Sequence, residues 1–75
     1  MAHMQINPEA LKALRETGGD TQKSLCERAG ISVVALYRIE SGIASPRPRT
    51  IQRLADALGV SVAAITYIDQ RQEAS

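Results

Sequence analysis

Residues 21–42 read TQKSLCERAGISVVALYRIESG. Thr21 can cap a helix, because its hydroxyl accepts a bond from a free N–H of the first turn. The helix then runs from Gln22 to Ala29 and stops at Gly30, a position that favours a residue without a Cβ. Ser32 is a second cap only two residues later, and a second helix over 33–41 closes at Gly42. Helices this close in sequence must cross at a steep angle. The apolar residues fit that crossing. Leu25 and Ala29 share one face of the first helix, and Leu36 and Ile39 share one face of the second. Ile31 drops between them from the turn. Cys26 is small enough, beside Leu25, to let the second helix approach.

Outward from this pair the chain continues in helical punctuation. Asn7 caps a helix over 8–17 that begins at Pro8, where the missing N–H is not needed. Ile6 and Leu11 are spaced as a staple across that cap, Leu11 and Leu14 supply the buried stripe, and Thr17-Gly18-Gly19 ends it. Ser24 stands where a Glu or Gln would complete a capping box with Thr21, so no box is expected. A fourth helix over 48–58 carries Ile51, Leu54, Ala55 and Leu58 at i, i+3, i+4 and i+7, a core stripe, and stops at Gly59. Ser61 is read as the cap of a fifth helix over 62–69, in which Ile65 enters the core. Val62, Tyr67 and Ile68 give that segment more apolar surface than one small core needs. The expectation is an all-α, compact five-helix bundle in one domain over 5–69. Residues 70–75 are expected to be a flexible tail. Residues 1–4, Met-Ala-His-Met, are set aside as a cloning remnant.

The 75 residues allow one domain, near the lower size limit for folding without staples. Only two aromatic residues are present, both tyrosines, so the core must be aliphatic. A single cysteine precludes an internal disulfide. The one histidine precludes a His-based triad within one chain, and no metal or cofactor is expected. No apolar run is long enough to span a bilayer as a helix, and a cytoplasmic setting is the default. Paired carboxylates and a phosphate-binding Gly loop are missing, so an enzyme is not expected. Net charge is only +1, but it is unevenly spread. Between residues 21 and 53 six basic residues face two acidic ones, and elsewhere three face six. A basic middle with acidic flanks is the footprint of a one-sided nucleic-acid binder.

The residues Thr21-Gln22, Leu25, Glu27-Arg28, Ala29-Gly30-Ile31-Ser32, Leu36, Ile39-Glu40 and Gly42, followed by Pro46, Thr50-Ile51, Leu54-Ala55, Leu58-Gly59-Val60-Ser61 and Ile65, appear in an order that resembles the Cro/cI-type (XRE-like, lambda-repressor-like) helix-turn-helix family. The resemblance covers about residues 9–68. It implies a DNA-binding domain of bacterial or phage regulators. It also implies an ion pair between Arg15 and Glu40, tying the first helix to the third, and a backbone-clamp role for Gln22. Asp20 departs from the family pattern, which has an apolar residue just before the cap, and Arg47 stands where the family often has a Ser cap.

On this reading the helix over 33–41 enters the major groove of double-stranded DNA. Ser32, Val33, Val34, Tyr37 and Arg38 lie on its outer face, because Leu36 and Ile39 take the inner one. Arg38 can bind guanine O6 and N7 with two bonds or grip a phosphate, and a valine can meet only a thymine methyl. Thr21, Gln22, Lys23, Arg47 and Arg49 are the candidate phosphate contacts, the first three at a helix N-terminus that favours an anion. Val62, Tyr67 and Ile68 are the candidate homodimer contact. The expected function is a sequence-specific transcriptional regulator, a repressor. The alternative is a protein-interaction module on the same fold, antitoxin-like or an accessory subunit, that meets a protein partner through Val33 and Val34.

Overall fold

The computed structural model describes residues 3–69, in the order β1 (His3–Ile6), α1 (Pro8–Thr17), α2 (Gln22–Ala29), α3 (Val33–Glu40), α4 (Pro48–Leu58), a 3-10 turn (Val62–Ile65) and β2 (Thr66–Asp69). Met1, Ala2 and the expected tail over 70–75 lie outside the described residues. The helices start where side chains can satisfy their first N–H groups. Asn7 Oδ1 accepts from Ala10 N at 3.2 Å, Thr21 Oγ1 from Ser24 N at 3.0 Å, and Ser32 Oγ from Ala35 N at 3.0 Å. Gly30 ends α2 at φ 74°, with open space where a Cβ would stand, so the backbone conformation and not crowding selects glycine there.

Two local expectations are corrected. The capping box of α2 is present after all: Thr21 N donates to Ser24 Oγ at 3.0 Å while Ser24 N donates to Thr21 Oγ1. A serine hydroxyl is short, but at this position it reaches the cap N–H as a Glu or Gln would. The fold, all-α in its helix-turn-helix body, has four α-helices and not five among the described residues. Residues 62–69 do not form an α-helix. Ala64 N donates to Ser61 O in a single 3-10 turn, and Ser61 makes no side-chain cap bond. Thr66 then donates its hydroxyl to Val62 O at 2.9 Å, a side chain bonding back to a carbonyl of the turn before it. Thr66, Tyr67 and Ile68 are β-branched or aromatic and favour an extended chain when a partner strand is at hand.

That partner is β1, which includes His3 and Met4 from the stretch set aside in the sequence reading. The two strands are antiparallel, with His3 facing Asp69, Met4 facing Ile68, Gln5 facing Tyr67 and Ile6 facing Thr66. Side chains alternate along a strand. Tyr67 and Ile68 therefore project from opposite faces and cannot share one apolar patch with Val62, which is half-buried against the core.

Each helix gives one fully buried leucine or its equivalent to a single core: Leu11 from α1, Leu25 from α2, Leu36 from α3, Leu54 from α4, with Ile65 from the 3-10 turn. Ile6, Cys26, Ala29, Ile39, Ile51 and Ala55 complete it. Cys26 Sγ lies 3.3 Å from Ser32 O, where its thiol can donate across the α2–α3 turn. Burial pushes that thiol's pKa up, which keeps it protonated and inert.

Candidate nucleic-acid interface

The outer face of α3 is held in place from behind. Arg15 on α1 is buried, and its Nε and Nη2 donate to Glu40 Oε2 at 2.7 Å and Oε1 at 3.0 Å. This two-pronged pair has side chains 9% and 4% exposed, so it sits inside the domain and not on its surface. Glu40, ahead of the other carboxylates near it, holds the Arg15 guanidinium above its already high pKa. Arg15 Nη1 donates in addition to Asp20 O at 3.0 Å. Gln22 Nε2 donates to Glu40 Oε1 at 3.1 Å. The end of α3 is thereby bonded to α1 and to the start of α2 through one carboxylate.

Asp20, the departure from the family pattern, has a role that no local pattern announces. Its carboxylate accepts from Arg28 Nη1 and Nη2 at 2.8 and 2.9 Å and from Ser24 Oγ at 2.9 Å. Arg28 also donates to the carbonyl of Ala57, so the clamp reaches from the loop before α2 to the end of α4. Arg28 thus belongs to the scaffold, although it was counted among the basic residues of the middle. The Ser24 hydroxyl bond, then the Arg28 guanidinium, hold the Asp20 carboxyl below its ordinary value. Its stabilising effect is complete above the usual carboxylate pKa of about 4 and is lost as pH falls through the lower folded value. In urea midpoints measured across that range, Asp20→Asn is expected to be less stable at neutral pH and to show a shallower acid loss. An unchanged acid profile would contradict this.

The expected base-reading residues are all at the surface. Ser32, Val33, Val34, Tyr37 and Arg38 are exposed, with Val33, Val34 and Tyr37 at 44%, 59% and 56%. Along the helix they form two neighbouring i, i+4 rows, Val33 with Tyr37 and Val34 with Arg38. Ser32 Oγ is already engaged as the α3 cap. The structure adds Ile43, which the sequence reading passed over. It follows Gly42 (φ 78°), its N–H closes α3 on Arg38 O at 2.9 Å, and its side chain is 71% exposed. The only sequence signal was an isoleucine inside an otherwise small, polar and Pro-containing loop.

Among the expected phosphate contacts, Lys23, Arg47 and Arg49 are exposed, and Thr21 is exposed with its oxygen accepting the cap bond. Gln22 differs. It is half-buried, and one amide hydrogen goes to Glu40, leaving the other for an outside acceptor. Arg47 precedes α4 without a side-chain cap bond. Among the described residues, none of Lys23, Arg38, Arg47 and Arg49 lies within ion-pair distance of a carboxylate, in contrast to Arg15 and Arg28. Of these six cations, two hold the fold and four are exposed without a carboxylate partner among the described residues. Among the described residues no group of three or more His, Cys, Asp or Glu side chains is placed to hold a metal, and no helix is long and apolar enough to cross a membrane.

The chain is 38% identical over 65 residues to the HTH-type transcriptional repressor RghR of Bacillus subtilis (strain 168), a match covering 85% of this chain and 48% of that protein. The chain spans about half the length of this curated relative. Among solved structures, the DNA-binding domain of the P22 c2 repressor superposes with a TM-score of 0.74 at 27% identity, over 79% of this chain and 78% of that one. The restriction-modification controller protein C.AhdI of Aeromonas hydrophila shares the fold, with a TM-score of 0.75 at 24% identity over 76% of this chain and 86% of that one. The pattern of the helix-turn-helix family HTH_3 matches residues 11–65, from the first core leucine to the last core isoleucine, and the chain belongs to that family.

Proposed function

We propose that the protein is a sequence-specific, DNA-binding transcriptional regulator, a repressor, that lays α3 in the major groove and acts as a homodimer on a two-fold symmetric site. The observation that carries this reading is the outer face of α3. It presents Val33, Val34, Tyr37 and Arg38 to the outside, Lys23 is exposed at the start of α2 and Arg47 and Arg49 around the start of α4, and among the described residues none of these four cations lies within ion-pair distance of a carboxylate. Val33 and Val34 meet thymine methyls, Arg38 takes guanine, and the flanking cations with the Gln22 amide hold phosphates. The repressor role of the Bacillus relative supports the direction of regulation. The protein works in the cytoplasm, where the DNA is. The competing reading, a protein-interaction module docked through Val33 and Val34, draws on the same exposed valines but leaves the outward cations without a role.

Fluorescence anisotropy on a duplex obtained by in-vitro selection, over a salt series, tests the proposal. Binding is expected to weaken steeply with salt, as counterions released from phosphates dictate. Lys23→Ala, Arg47→Ala and Arg49→Ala are each expected to weaken binding to all sequences alike and to reduce the salt slope by about 1. Affinity that does not respond to salt, or that none of the three substitutions changes, would overturn it.

A further inference from the structure

Among the described residues the ribbon β1–β2 leaves one edge of β2 open, and that edge carries its own register. Asn7 N donates to Ile65 O at 2.8 Å, which makes that facing pair a hydrogen-bonded one. Bonded and non-bonded pairs alternate along an antiparallel ladder. Gln5 with Tyr67 is therefore bonded, while Ile6 with Thr66 and Met4 with Ile68 are not. The backbone N–H and C=O of Thr66 and Ile68 consequently point away from β1. Among the described residues they meet no other backbone group. The edge has no Lys, Pro or bulge at 66–68 to discourage pairing. Tyr67 and Ile68 are both 47% exposed, and Met4, which faces Ile68, is 54% exposed.

We infer that a second copy of this chain covers that edge, β2 pairing antiparallel with β2 of the partner subunit about a two-fold axis at Tyr67. A two-fold axis normal to a sheet keeps each side chain on its own face. Facing residues in a ladder share a face, so the residue on the axis must face its own counterpart. Centring on Tyr67 uses both outward-pointing residues: Thr66 exchanges its backbone bonds with Ile68 of the partner subunit, and Ile68 with Thr66 of the partner subunit. Tyr67 then packs on Tyr67 of the partner subunit in a close, non-hydrogen-bonded pair, and aromatic cross-strand pairs stabilise sheets. Ile68, on the other face with Met4, meets Thr66 of the partner subunit. This accounts for two adjacent residues being exposed on opposite faces, which no single helical patch did. It also turns a two-stranded ribbon, marginal alone, into a four-stranded sheet. The main contacts of β2 are with β1 and the 3-10 turn, and those of α3 are with α1 and α2.

The inference rests on the homodimer of the proposed function but is tested without DNA. Sedimentation velocity of the full chain is expected to show a dimer. Ile68→Pro removes only an outward N–H, so the β1 ladder stays intact, and it is expected to weaken the dimer by about tenfold or more while the circular dichroism spectrum is kept. Tyr67→Cys places two thiols about 4.5 Å apart at Cα, within reach of a disulfide, and is expected to give a covalent dimer on mild oxidation. Cys26 is buried and stays reduced in the same sample. A chain that stays monomeric at high concentration overturns the inference. So does a dimer that survives Ile68→Pro and does not crosslink at Tyr67→Cys, which would place the two-fold elsewhere and leave the DNA reading standing.

Discussion

Glu40→Ala is expected to remove about 3–5 kcal/mol of stability, because it takes from the buried Arg15 guanidinium its hydrogen-bonded carboxylate and leaves only the exposed Glu16 carboxylate, 4.0 Å away. The geometry supports the upper part of that range. Glu40 accepts from Arg15 twice and from Gln22 once, and its side chain is only 4% exposed. A domain of 75 residues has a total stability of about 4–11 kcal/mol, so the substitution removes a large part of what holds it. Urea denaturation followed by circular dichroism would read the loss as a lower midpoint with an unchanged slope. Arg15→Met with Glu40→Leu is expected to recover most of it, since two apolar side chains carry no desolvation penalty. A Glu40→Ala variant as stable as the parent would show that the pair adds nothing to the fold. The double variant would also separate stability from function. A well-folded double variant with weaker DNA binding would mean that the pair sets the angle of α3.

Arg38→Ala is the substitution with the largest expected effect on binding. Arg38 lies in the last turn of α3, exposed and unpaired among the described residues, one turn beyond Val34. A guanidinium held to guanine O6 and N7 is worth about 1–3 kcal/mol, or about five- to 150-fold in affinity. The loss is expected for the selected duplex and not for duplexes already mismatched at the guanine. Anisotropy titrations at fixed salt on both duplexes would measure it. An equal loss on both, with a salt slope lower by about 1, would assign Arg38 to a phosphate and leave base reading to Val33, Val34 and Tyr37.

The helical body was legible because its signals are local. Asn7, Thr21 and Ser32 mark starts, Gly30 and Gly59 mark stops, and the apolar residues between them recur at helical spacing. The C-terminal segment was not legible for a physical reason. Residues 62–69 form a short apolar run that fits either a helix or a strand by period alone. The tie is broken by β1, at the far end of the sequence and partly within residues set aside as foreign. Ser24 shows the same limit on a smaller scale. The box it completes depends on how close its hydroxyl comes to the Thr21 N–H, which residue type does not tell.

In the candidate site, the sequence told which residues of α3 face outward, because Leu36 and Ile39 claim the inner side. It did not tell which cations are already in use. Arg28 reads as part of the basic middle, yet Asp20 and the Ala57 carbonyl take it into the scaffold. Gln22 reads as a clamp for phosphate, yet one of its hydrogens is on Glu40. The Arg28–Ala57 and Gln22–Glu40 contacts join different helices, 29 and 18 residues apart in sequence, and even the Asp20–Arg28 pair, eight residues apart, falls outside the helical spacing rules.

The central claim, that the outer face of α3 reads base edges, is tested most directly by running in-vitro selection from random duplexes in parallel with the parent chain and with Val33→Gln. The parent is expected to enrich a two-fold symmetric site with thymine where Val33 lies. The variant is expected to enrich a site changed at that position alone, towards adenine, which glutamine can bind at N6 and N7. Identical sites from both proteins, or no enrichment from either while each remains folded, would contradict the account.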